Sequence, residues 1–137
     1  MVTELSAKQK EVLLYKTRLN ETVQAIMTLM VKENLDDSAV NMKIQDVYYS
    51  LSCIGTIVGG RMADRINSGI FELRKQIALI KAMTDQGDVQ QIPMELWLGT
   101  VNSLVVKFDD QGRPMKVMFD FEAMGVKLKA LVLRGKA

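Results

Sequence analysis

Between Asp85 and Pro93 the chain changes the period in which its apolar residues recur, and that change limits what it can fold into. Before the boundary there is no proline, and apolar residues return at steps of three, four and seven. Beyond it they alternate in twos around the turn Phe108-Asp109-Asp110-Gln111-Gly112-Arg113. The first period suits helices with one buried stripe, and the second suits strands with one buried face. The expectation is an α+β chain organised as one domain over residues 1–137, with a helical half at 1–88 and an antiparallel sheet half at 94–137.

Ser6 is positioned to cap a first helix running to about Asn34, with Val12, Leu19, Val23, Ile26 and Met30 as its stripe. Leu13, Leu14, Met27, Leu29 and Val31 lie off that stripe, so this helix is apolar on more than one face and calls for neighbours on two sides. After Asp36-Asp37-Ser38, with Ser38 as a cap, Val40, Ile44, Val47, Leu51, Ile54 and Val58 repeat at four-three-four-three-four. Gly59-Gly60 should break or bend this second long helix before a segment from about Met62 to Met83, whose stripe is Ile66, Leu73, Ile77 and Ile80. Gly87 suits a left-handed helix end.

In the second half, Leu104, Val106, Met115, Val117, Phe119, Val126, Leu128, Ala130 and Val132 share one parity and read as the inward face of a three-stranded meander. Four-residue loops would set Val106 opposite Met115 and Leu104 opposite Val117, so that inward residues meet inward residues. Met94-Glu95-Leu96-Trp97-Leu98 is a candidate fourth strand, with Gly99 making the assignment ambiguous.

Composition removes several functional classes. Lys plus Arg number 18 against 16 acids, a net +2, too balanced for a general polyanion binder. With Cys53 the single cysteine and no histidine, neither an intrachain disulfide nor a Cys/His zinc site can form, and a reducing, cytoplasmic setting follows. The opening residues lack the order of a signal peptide, and the longest uncharged run, Val47 to Gly60, is short of the roughly 20 residues of a membrane span. No membrane span, metal or cofactor is expected.

No motif carries recognisable chemistry. Gly59-Gly60-Arg61 before a helix start offers backbone amides and a guanidinium to an anion, but it lacks dinucleotide and P-loop spacing and reads first as a helix break. Cys53, among Leu51, Ile54 and Ile57, reads as a buried small hydrophobe. Asp36, Asp37, Asp85, Asp88, Asp109 and Asp110 occupy turn positions where aspartate bonds its own backbone. Without histidine, general acid–base work would need strongly shifted carboxylates or lysines, so no catalytic residue is assigned.

Two surfaces remain. Ser52, Gly55, Gly59 and Ala63 form a small-residue ridge that lets helices approach closely, within the chain or between copies. On the outward parity of the sheet, Val105, Lys107, Lys116, Met118, Lys127, Lys129 and Leu131 mix apolar and basic groups without an aromatic residue for base stacking. The function expected is therefore a non-catalytic assembly subunit, either homo-oligomeric or docked into a larger complex. A nucleic-acid-binding accessory protein using Lys107, Lys116, Lys127, Lys129, Arg134 and Lys136 is the alternative, and an enzyme with an unrecognised carboxylate site the third reading.

Overall fold

The computed structural model describes residues 5–30, 37–85 and 91–122. It is mostly helical, with four helices and a short two-stranded antiparallel sheet: α1 (Ala7–Met30), α2 (Asp37–Val58), α3 (Gly60–Asp85), α4 (Gln91–Asn102), β1 (Val105–Phe108) and β2 (Pro114–Met118).

Helix α1 begins on a reciprocal cap: the Gln9 amide donates to Ser6 Oγ at 3.1 Å and the Ser6 amide to Gln9 Oε1 at 2.8 Å. The stripe residues Val12, Leu19, Val23 and Ile26 are buried, while Leu13, Leu14 and Met27 are exposed. Every member of the α2 repeat, from Val40 to Val58, is buried, as are Ile66, Leu73, Ile77 and Ile80 of α3. Residues 31–36 lie outside the described ones, and α2 is already helical at Asp37, one residue ahead of the expected cap Ser38.

The glycine pair separates α2 from α3 rather than bending one helix. Gly59 and Gly60 take φ of 65° and 56°, a left-handed conformation that costs other residues about 1–2 kcal/mol each. The chain reverses there, because Gly55 and Ile66 touch although helix continuity would hold them about 16 Å apart. A Cβ on Gly55 would sit 3.2 Å from Ile66 Cγ2. Tyr15 bonds Cys53 while Arg18, farther along α1, pairs with Asp46, earlier on α2, so α1 runs antiparallel to α2.

The proposed fourth strand is a helix. Met94, Trp97, Leu98 and Val101 fall at i, i+3, i+4 and i+7, and Trp97, Leu98 and Val101 are buried against the helical core. Helical spacing outweighs the strand preference of Leu-Trp-Leu because only a helix sends these rings to one side. Trp97 Nε1 donates to the Leu73 carbonyl of α3 at 3.0 Å, and the ring meets Tyr48 of α2 edge-on at 6.2 Å. Trp97 thereby joins three helices.

The sheet has two strands among the described residues, not three or four, and the expected third strand falls in 123–137, outside them. Val105 pairs with Met118, Val106 with Val117 and Lys107 with Lys116, with an irregularity before Phe108 and Pro114. This register is offset by two residues from the expected one. An offset of two preserves parity, so Val117 remains buried and Val106 half-buried, whereas Met115 is exposed at the loop end. The strands sit against α3 through β2.

Tyr48 is buried, its hydroxyl has no hydrogen-bond partner among the described residues, and burial pushes its pKa up to about 12. Between the ordinary value near 10 and that raised value the unfolded chain ionises first, so this contribution is intact below pH ~10 and disappears as pH rises through the folded pKa. Tyr48→Phe removes an unpaired buried hydroxyl and is expected to leave stability at pH 7 unchanged or slightly higher. The same variant should retain more stability than the parent in chemical denaturation at pH 11. A loss above ~1 kcal/mol at pH 7 would show that the hydroxyl has a partner.

Candidate interaction surfaces

The ribbon is held in place at both ends by polar contacts. Asp109 organises the turn: its Oδ1 accepts the amides of Gln111 and Arg113, each at 2.9 Å, and its Oδ2 accepts Arg113 Nε at 3.0 Å. The Arg113 backbone amide, followed by the Gln111 amide and the Arg113 guanidinium, holds the Asp109 carboxyl below the usual carboxylate range. Gly112, at φ 75°, comes so close to the start of α1 that a Cβ would lie 2.6 Å from Ser6 Cβ, and Ser6 Oγ donates to its carbonyl at 2.7 Å. At the other end the Asp120 amide donates to Ser103 Oγ at 2.8 Å. Ser6 therefore caps α1 and fastens a loop 106 residues away.

Of the expected outer face, Val105, Lys107, Lys116 and Met118 are all exposed. They form two cross-strand pairs, Val105 with Met118 and Lys107 with Lys116. In this register Met118, and not Lys116, faces Val105. Lys127, Lys129, Leu131, Arg134 and Lys136 lie outside the described residues. The described ion pairs, Arg18–Asp46, Lys75–Glu72 and Arg113–Asp109, include neither lysine of the ribbon.

The four small residues do not share one ridge. Ser52 is exposed, Gly55 is buried against Ile66 of the same chain, Gly59 forms the reversal and Ala63 belongs to α3. The close approach allowed by Gly55 is thus made within the chain.

A second surface, missed by periodicity, covers the outside of α1 and α2. Leu14, Met42 and Tyr49 are 66%, 74% and 53% exposed. Arg18, one turn beyond Leu14, lies over the Tyr49 ring at 5.1 Å and pairs with Asp46 at 3.5 Å, between Met42 and Tyr49 on α2. Cys53 continues this strip. It is half-buried rather than enclosed, and its hydrogen bond to the Tyr15 hydroxyl is the main cause of a raised Tyr15 pKa. The sequence signal was available in Leu14, which lies off the α1 stripe, and in Met42 and Tyr49, seven residues apart outside the α2 repeat.

A groove of about 470 Å³ runs between α3 and β2, lined by Phe119 and Phe121 and by Asp64 and Glu72. The phenylalanine rings stack at 4.9 Å, and Phe119 lies so close to Gly69 that a Cβ there would be 2.7 Å from its ring. Among the described residues no three Cys, Asp or Glu side chains gather as a metal site, and no helix is long and apolar enough to cross a membrane. Comparison with protein-family models, curated proteins and solved structures finds no match.

The loop geometry fixes two expected outcomes. An NMR titration should place the Asp109 carboxyl midpoint below the ordinary ~3.9, with turn stability intact above that value and lost as pH falls through the folded midpoint. Gly112→Ala combines a left-handed φ with a collision against the Ser6 side chain and should destabilise the chain by about 1–3 kcal/mol, read by chemical denaturation. An ordinary Asp109 midpoint would remove the turn network.

Proposed function

We propose that this chain is a non-catalytic assembly subunit, joined to further copies or to a larger protein complex through surfaces its own core does not cover. The observation that carries the reading is the outer face of α1 and α2, where Leu14, Met42 and Tyr49 stand in solvent beside Arg18. Tyr, Arg and Met are enriched at the centres of protein interfaces, and a rigid pair of antiparallel helices presents them at little further entropy cost. The cation–π contact and the Arg18–Asp46 pair already orient Arg18 and Tyr49. A free cysteine beside this face accords with a reducing, cytoplasmic setting.

A small nucleic-acid-binding accessory protein is the second reading, favoured by the Lys107–Lys116 pair. Binding that survives physiological ionic strength and falls steeply as salt rises would put it first. Asp64 and Glu72 at the α3–β2 groove are the described carboxylates on which an enzymatic reading would draw.

Light scattering at micromolar concentration should give a mass above that of the single chain. Leu14→Glu combined with Met42→Glu changes only exposed helical positions, so the circular dichroism spectrum should be retained while the mass falls toward the monomer. A folded monomer at every concentration, with no complex recovered around the full chain, would remove the assembly reading.

A further inference from the structure

We infer that the outer face of the β1–β2 ribbon receives an extended acidic segment of a protein partner, with a carboxylate over Lys107 and Lys116 and an apolar side chain two residues along over Val105 and Met118. This inference rests on the assembly reading but uses a surface separate from the α1–α2 face.

The register places Lys107 directly opposite Lys116, both exposed, and among the described residues no carboxylate pairs with either. Like charges in directly opposed cross-strand positions destabilise strand pairing. The nearby turn carboxylate, Asp109, is already engaged by Arg113 and two backbone amides. Two lysines opposite one another on a ribbon that is fastened at Ser6 and Ser103 offer a site for one anionic group.

Val105 and Met118, 38% and 40% exposed, form the next outward pair. Two residues along a strand span about 6.8 Å, in the ribbon and in any extended segment laid over it. A segment with Asp or Glu at one position and an apolar residue two later therefore matches both pairs at once. A phosphate backbone would answer the lysines but leave the apolar pair uncovered, and no aromatic side chain stands among these four residues to stack a base. A second copy presenting these same four residues brings two more lysines against the first two.

The test is fluorescence anisotropy with the full chain and three labelled probes: a peptide repeating Glu-Ser-Val-Ser, the same peptide with Lys for Glu, and a single-stranded DNA of mixed sequence. The Glu peptide should bind, weaken with added salt, and lose about tenfold or more in affinity with Lys107→Glu or Lys116→Glu. Each variant creates an opposite-charge cross-strand pair, so its thermal midpoint should not fall. The self-association mass of the chain should be unchanged by these variants, which separates failure here from failure of the assembly reading. Absence of Glu-peptide binding, equal binding by the Lys peptide or by either variant, or preferential binding of the DNA overturns the inference.

Discussion

The reversal at Gly59 and Gly60 is the constraint from which the arrangement of the core follows. Two successive residues with positive φ end α2 and start α3 almost at once, so the two apolar stripes must face each other within a few residues of the turn. Gly55 then allows Ile66 to approach, and the stripes from Val40 to Val58 and from Ile66 to Ile80 close into one cluster. Trp97 completes it from α4: its indole N–H reaches the Leu73 carbonyl and its ring edge meets Tyr48. Burying such a ring contributes several kcal/mol, which helps hold α4 where it packs, against α1 and α3.

The ribbon follows from that core. Leu104 and Val117 are buried with it, while the turn is tied to the start of α1 by Ser6 and Gly112. With both ends fastened, the outward side chains Val105, Lys107, Lys116 and Met118 remain exposed. The same holds for the outer strip of α1 and α2. In both places apolar groups stand beside cations: Arg18 with Tyr49 on the helices, Lys107 and Lys116 with Val105 and Met118 on the ribbon. Among the described residues the helical strip has its charge balanced by Asp46 while no carboxylate pairs with the ribbon lysines, and the two proposed partners differ accordingly.

Much of the helical half was legible in the sequence. The α2 repeat, the α1 stripe and the Ser6 cap depend on local spacing and appear where the 3.6-residue period puts them. The register of the ribbon was missed by two residues because loop length, set by the Asp109 network and Gly112, cannot be read from alternation alone. Residues 94–98 misled because Leu-Trp-Leu has strand preference, while the decisive partners, Leu73 and Tyr48, are far away in sequence. The exposed pairing of Arg18 with Tyr49 was hidden for a related reason: it needs the antiparallel alignment of two helices. Ser52, Gly55, Gly59 and Ala63 had near-helical spacing, but the chain reversal divides them between two helices.

Hydroxyl-radical footprinting across a concentration series tests the central claim directly, since Met42, Tyr49 and Leu14 are reactive side chains at the proposed interface. As the chain assembles, oxidation at these three positions should fall together, while exposed Phe71 on α3 keeps its reactivity as an internal control. Oxidation of Leu14, Met42 and Tyr49 at a constant rate in the assembled material would contradict the account, because the surface that defines the subunit would still be in water.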